Sequence, residues 1–266
     1  MKTPITYYGG KQKLASIIVS LIPKHTLYCE PFLGGGAIFF SKPQSAVEVI
    51  NDTNKELINF YQVVQDDFIG LEKHIRITLH SKDLHRKASV MYNNPDMFSA
   101  IERAWAFWTL ASQSFASIID GSWGYDISKN TTTKKITNKR DSFTEEYAIR
   151  LQNVQIERRD ALHIIESRDT KDAFFYCDPP YYNSDCGHYN GYSIQDYENL
   201  LKSLSKVKGK FMLSSYPSDV LTKYVKAKGW YQVQIEQTVS VANHNSTKPL
   251  KKKIEVITAN YPIKLP

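Results

Sequence analysis

The chain has 266 residues, 42% hydrophobic and 23% charged, a balance that fits a soluble globular protein and excludes disordered and fibrous classes. Its three cysteines (Cys29, Cys177, Cys186) cannot build a paired disulfide framework, and no apolar run approaches the ~20 residues that span a bilayer. A net charge of +7 favours a polyanionic partner.

Polar, glycine-containing sequence after Met1 predicts no secretory signal, and the strand-like runs around Cys29 and Cys177 point to reduced, buried thiols in the cytoplasm. Tyr7-Tyr8-Gly9-Gly10-Lys11 leads into apolar positions Leu14, Ile17, Ile18 and Leu21, whose spacing predicts a helix over 11–21. The glycines let backbone approach a ligand, or simply make a flexible turn. Lys11 at the helix start opposes the macrodipole, which favours a functional reason for it.

Leu27 to Glu30 reads as a short buried strand, then Pro31-Phe32-Leu33-Gly34-Gly35-Gly36, then a helix opening at Ala37. Strand, glycine turn, helix is the layout of a nucleoside-binding α/β unit. Neither the Gly-Lys-Ser/Thr of a phosphate loop nor the dinucleotide fingerprint is present. Ala46 to Ile50 predicts a second strand ending at Asn51-Asp52-Thr53-Asn54. Asp52 is placed to accept from ribose hydroxyls; alternatively Asp52 or Thr53 caps a helix over 54–64, with Glu56 completing a capping box.

Between residues 55 and 150 helical patterns dominate (57–68 and 97–115), interrupted by expected loops at 80–87, 121–125 and 129–140. Lys134, Lys135, Lys139 and Arg140 lie among threonines and asparagines, which predicts a mobile phosphate-contacting loop or a solvated face. His74, His80 and His85 lack a metal-ligand spacing.

Strand character resumes at Val154 to Glu157, and Asp160 follows as an acceptor for an exocyclic amine or a cap for the 161–166 helix. The apolar run Phe174-Phe175-Tyr176-Cys177 then stops at Asp178-Pro179-Pro180-Tyr181-Tyr182. Strands covered on both faces read as continuous apolar runs, and ligands of open α/β sheets sit beyond the strands' carboxyl ends. Two prolines hold the backbone carbonyls stiffly without donors. A carboxylate and a fixed carbonyl beside an aromatic ring suit a planar amino-purine edge; the plainer reading is a strand end with a proline turn. A helix over 195–204, a strand over 210–214 and β segments over 230–241 and 253–260 complete the chain, with basic connections at 243–248 and 251–253 as candidate DNA contacts.

Tyr7-x-Gly-Gly-Lys11, Glu30-Pro-Phe-Leu-Gly-Gly-Gly36, Asn51-Asp52-x-Asn54, Asp160, Asp178-Pro-Pro-Tyr181 and Lys251-Lys-Lys-Ile-Glu-Val256 occur in one order along nearly the whole chain. Together they resemble the Dam-like family of adenine-N6 DNA methyltransferases. The resemblance implies an α/β fold: an S-adenosylmethionine (AdoMet)-type Rossmann-like sheet with a C-terminal β-hairpin, formed by 1–54 and 151–266, plus a helical target-recognition insertion over 55–150. It implies that Tyr7, Lys11, Glu30, Phe32, Gly34, Gly36, Asp52, Asp160 and Asp178 bind AdoMet, that Asp178, Pro179 and Tyr181 hold the flipped adenine, and that no metal is needed. Lys134, Lys135, Lys139, Arg140, Lys251 and Lys252 are the expected DNA contacts. Implied partners are double-stranded DNA and a cognate restriction endonuclease acting independently, with no membrane, for a monomer or weak dimer in the cytoplasm of a bacterium or of a phage's host. The stretch 112–121 lacks the Asn-Arg segment of better-known members, so the recognised DNA sequence does not carry over.

Three rivals are weaker on these residues. Cytosine-N4 enzymes usually carry serine at the Asp178 position, and RNA or protein amide methyltransferases asparagine. A non-enzymatic DNA binder has no need of a pocket filled throughout by competent residues. Cytosine-C5 chemistry needs a cysteine nucleophile, but Cys177 alternates to the side opposite Asp178.

Overall fold

The computed structural model of the chain describes residues 1–182, 192–238 and 252–265. Its elements begin with α1 (Ala15–Ser20), β1 (Leu27–Glu30), α2 (Ala37–Ser41) and β2 (Val47–Asn51). There follow α3 (Lys55–Asp66), α4 (Phe68–Arg76), α5 (Lys82–Asn93), α6 (Ala100–Gln113), α7 (Thr131–Asp141) and α8 (Glu146–Leu151). The chain continues through β3 (Val154–Glu157), α9 (Ala161–Arg168), β4 (Ala173–Cys177), α10 (Ile194–Leu204), β5 (Lys210–Ser215), α11 (Asp219–Lys228), β6 (Tyr231–Thr238) and β7 (Lys252–Ala259). It packs as two compact units, Met1–Val19 with Leu33–Asp160, and Ser20–Phe32 with Ala161–Pro266.

In the first unit β2 and β3 pair in parallel, Asn51 opposite Glu157. Between these strands the chain runs through α3 to α8. Helix α6 is apolar on nearly all sides, with Ala104 to Ala111 buried, and α3, α4, α5 and α7 pack on it. A helix hydrophobic all round belongs at the centre of a core. Phe60, Phe107 and Phe143 are fully buried around it, and Phe68 stacks on Phe143 with centroids 5.1 Å apart. Arg103 donates to both oxygens of the buried Glu56, at 2.8 and 2.9 Å. Glu48 on β2 receives Lys42 and two nitrogens of Arg150, whose guanidinium lies 3.8 Å over the Phe39 ring. Burial alone would raise the Glu48 carboxyl; Arg150 and Lys42 hold it below its ordinary value.

Two stretches expected as loops are helical. Residues 80–87 enter α5, whose N-terminus is capped by Ser81 Oγ accepting from Leu84 N, with His85 buried against Ser114 Oγ at 2.9 Å. Most of 129–140 is α7. Its threonines and asparagines compete with helix hydrogen bonding in isolation. Here Asp126 accepts from the Thr131 and Thr132 hydroxyls at 2.8 and 2.9 Å, and Ile136 is buried. The cap of α3 also differs from expectation: Asn54, not Asp52 or Thr53, accepts from Glu56 N and Leu57 N.

In the second unit β1, β4 and β5 pair in parallel, Tyr28 opposite Phe174 and Cys177 opposite Leu213. Strand β7 joins β5 antiparallel and pairs with β6 along its whole length. All five residues of β4 are buried, as a central parallel strand requires. A parallel α/β sheet completed by an antiparallel hairpin is the expected Rossmann-like methyltransferase architecture. Residues 239–251, with the 243–248 connection and Lys251, and residues 183–191, with Cys186, lie outside the described residues.

Candidate active site

In the first unit the predicted residues gather around one glycine turn. Gly34 has φ +49°, and its N–H donates to Asp52 Oδ2 at 2.9 Å. Asp52 Oδ1 accepts from Asn54 N at 2.9 Å, so the carboxylate bridges the turn to the start of α3. A Cβ at Gly34 would meet Tyr7 Cδ1 at 3.2 Å, and one at Gly35 would meet Tyr7 Cβ at 3.0 Å. The Tyr7 ring thus lies directly on the turn; it also stacks on Phe107 of α6 (6.3 Å, 27°), and Asn54 Nδ2 reaches its hydroxyl at 3.5 Å. Burial raises the Asp52 carboxyl above its ordinary value, against the N–H groups of Asn54, Gly34 and Thr53. Lys11 is buried with Nζ 3.4 Å from Gly9 O, and Gly36 (φ +67°) precedes α2. Asp160 is exposed, on a turn held by Asn51, which donates to Arg159 O (3.0 Å) and accepts from Arg159 N (2.8 Å).

In the second unit Asp178 emerges half-buried from the end of β4, followed by buried Pro179. The Tyr181 hydroxyl contacts Asp178 Oδ1 at 3.0 Å and also Glu255 Oε1 on β7. Tyr216 meets Tyr181 edge-on, centroids 4.5 Å apart, and Lys253 Nζ donates to the Tyr216 hydroxyl at 3.0 Å. Burial, then Asp178 and Glu255, holds the Tyr181 phenol well above its ordinary value, so it keeps its proton. Below it Tyr176 shares a hydrogen bond with Ser214 (2.9 Å). Glu30 is buried and accepts from the Tyr28 hydroxyl at 2.7 Å, and Phe32 is half-buried just after β1. Cys177 is fully buried; burial first, then Cys29, Glu30 and Asp178, pushes its thiol well above the ordinary range, the opposite of an activated nucleophile.

Asn51, Asn54, Phe107, Tyr216 and Glu255 carry this geometry without having been assigned a role from sequence. The signal for Glu255 was there: one acid inside the apolar strand Ile254-Glu255-Val256-Ile257. Phe107 carried no such signal, being one apolar residue in an apolar helix.

Of the basic candidates, Lys134 and Lys135 are exposed on α7. Arg140 is half-buried beside Asp141 (3.5 Å). Lys139 turns inward, Nζ 3.5 Å from Ala111 O, and burial, then Lys135, lowers its pKa to about 8. Lys252 opens β7. Among the described residues no group of three His, Cys, Asp or Glu side chains could hold a metal ion, and no helix is long and apolar enough to cross a membrane.

The sequence profile described as D12 class N6 adenine-specific DNA methyltransferase matches residues 7–241. Type II methyltransferase M1.LlaDCHI of Lactococcus lactis subsp. cremoris is 27% identical over 95% of this chain and 93% of its own. The DNA adenine methylase of Serratia marcescens is 25% identical over 89% and 91%, and Type II methyltransferase M.MjaIII of Methanocaldococcus jannaschii 26% over 84% and 87%. With the match covering most of the sequence and the strand pairing of an AdoMet-type sheet beneath it, the chain belongs to the D12 class of N6 adenine-specific DNA methyltransferases.

Proposed function

We propose that Asp178, Pro179 and Tyr181 hold a flipped-out adenine for methylation at N6. The observation that carries this reading is the Asp178 carboxylate at the carboxyl end of β4, with the Tyr181 hydroxyl on one of its oxygens at 3.0 Å. Adenine N6 is a poor nucleophile because its lone pair is delocalised into the ring. Asp178 and the Pro179 carbonyl, accepting from the two N6–H bonds, localise that pair as the methyl group approaches in line. The Tyr181 ring offers the stacking face that favours an extrahelical base. Catalysis of this kind is positioning and electrostatics.

AdoMet, the methyl donor of methyltransferases, is a cosubstrate here. Asp52 accepts from its ribose hydroxyls, the Gly34 to Gly36 turn with Tyr7 and Lys11 lines its approach, Glu30, Phe32 and Asp178 contact it, and Asp160 accepts from its adenine amine. The buried Glu30 carboxylate suits a cationic group, and the tight backbone at Gly34 suits a close approach. Residues 55–150 act as the target-recognition insertion, and 1–54 with 151–266 as the catalytic domain. Lys134, Lys135, Arg140, Lys251 and Lys252 contact phosphates, Lys134 and Lys135 being the most exposed of those described, whereas the expected contact Lys139 is turned inward onto Ala111 O. The protein works in the bacterial cytoplasm as a monomer or weak dimer. Two relatives are designated Type II methyltransferases, which supports a cognate restriction endonuclease acting independently on the same site.

The test is modified-base sequencing of DNA from adenine-methylation-deficient host cells expressing the chain. N6-methyladenine at one recurring sequence is expected with the wild type and absent with Asp178→Ala. Unmodified adenines with the wild type would overturn the reading.

A further inference from the structure

The Tyr181 hydroxyl faces two carboxylates, Asp178 Oδ1 at 3.0 Å and Glu255 Oε1. One hydroxyl carries one proton and can donate to only one of them at a time. Glu255 is buried on β7, and the adenine contacts proposed for Asp178, Pro179 and Tyr181 give it no part. Among the described residues Tyr176 and Glu30, both buried, and Tyr216 with Lys253 on its hydroxyl also face this cluster, and both carboxylates act on Tyr176 as well. The Tyr181 hydroxyl keeps its proton because burial, then the two carboxylates beside it, disfavours its ionisation.

We infer that Glu255 is a positioning residue for methyl transfer, its carboxylate receiving through the Tyr181 hydroxyl the proton that the methylated N6 releases to Asp178. The inference rests on the adenine-N6 reading above. Methyl transfer forms a C–N bond at N6 and breaks the sulfonium's C–S bond, whose electron pair stays on sulfur. As that bond forms, N6 gains positive charge and in the same step gives up one proton to Asp178. The acid so formed donates to Tyr181 Oη while the Tyr181 proton passes to Glu255. One proton has moved from N6 to Glu255, Asp178 is ionised again, and the phenol is neutral before and after. Before transfer, Glu255 also fixes the hydroxyl and with it the ring proposed to stack on the base.

The experiment compares the wild type, Tyr181→Phe, Glu255→Gln and the double variant. Each is assayed by single-turnover transfer of labelled methyl from AdoMet to unmethylated genomic duplex, with AdoMet and DNA affinities measured alongside. Positioned proton transfer contributes about 10²-fold or more, so Glu255→Gln should slow transfer by about that factor while both affinities hold. In the Tyr181→Phe background the same change should cost less than about twofold, because the path to Glu255 is already cut. Wild-type transfer rates in Glu255→Gln, or an equal loss in both backgrounds, would overturn the inference. Should Glu255→Gln not fold, Tyr181→Phe decides alone: it keeps the ring, and an unchanged transfer rate overturns the inference. A wild type that places no methyl on adenine would instead remove the reading beneath it.

Discussion

Replacing Asp52 by asparagine probes the glycine turn with almost no change of shape. The carboxylate accepts from Gly34 N and Asn54 N at 2.9 Å each. An amide offers one acceptor oxygen and one NH₂, so one of those N–H groups meets a donor. Losing a hydrogen bond to a charged acceptor costs about 1.5–3 kcal/mol, and at about 2–4 °C per kcal/mol the melting temperature should fall by about 3–12 °C. If the same carboxylate accepts from the ribose, AdoMet affinity should fall by about 10- to 150-fold, read by isothermal titration. Acid adds a second signature. Burial raises the Asp52 carboxyl, so the ionised form that accepts from ribose is lost at a higher pH than for an exposed aspartate. Wild-type AdoMet affinity should therefore weaken as pH falls through that raised value, while the asparagine variant stays flat. Stability moves the other way: a raised folded pKa makes the folded chain the tighter proton binder, so this contribution is present at low pH and lost as pH rises through it. Unchanged AdoMet affinity in Asp52→Asn would refute the ribose role even if the melting temperature falls.

Asp178→Ala should lower methyl transfer by about 10²–10³-fold, and wild-type turnover by the folded variant would end the proposed mechanism. Neutralising Lys134 and Lys135 together should weaken binding to all duplexes alike and flatten log affinity against log salt by up to roughly two units; an unaltered slope would make α7 a solvated face. Arg103→Ala strands the buried Glu56 carboxylate, which now accepts at 2.8 and 2.9 Å, and urea unfolding should show a loss of about 3–5 kcal/mol. Lys139, with its pKa lowered to about 8, binds its proton less tightly folded than unfolded, so stability should rise as pH climbs from about 8 toward the ordinary lysine value of 10.5. Lys139→Met should lack that rise in thermal melts taken across that interval.

The sheet was legible because its strands announce themselves locally. Phe174 to Cys177 is an unbroken apolar run, and all of it is buried. The positions of Asp52, Asp178 and Tyr181 were legible for another reason: each follows a predicted strand that the structure contains. The helices α5 and α7 were not, since what stabilises them is remote from their own composition. His85 is satisfied by Ser114, and Thr131 and Thr132 of α7 by Asp126. Glu255 meets Tyr181 across 74 residues of sequence, a contact no local pattern records. Asn54 looked like one polar residue among four, yet its side chain caps α3 and its backbone N–H holds Asp52.

The pairing of Glu48 with Arg150 bears on how such a chain diversifies. After β2 the chain makes a long helical excursion and returns at Arg150, just before β3, to a carboxylate 102 residues earlier. That guanidinium is fixed at its landing point by Glu48, by the Phe39 ring at 3.8 Å and by the Phe39 carbonyl at 3.0 Å. Closing a longer loop adds only about 0.6 kcal/mol per doubling of its length. The clasp therefore acts as a mooring: helices strung between its two halves can be lengthened, shortened or exchanged while β3 still enters in register beside β2. Variation in the helices of the excursion can accumulate without being transmitted into the strand pair that ends at Asn51, just before Asp52.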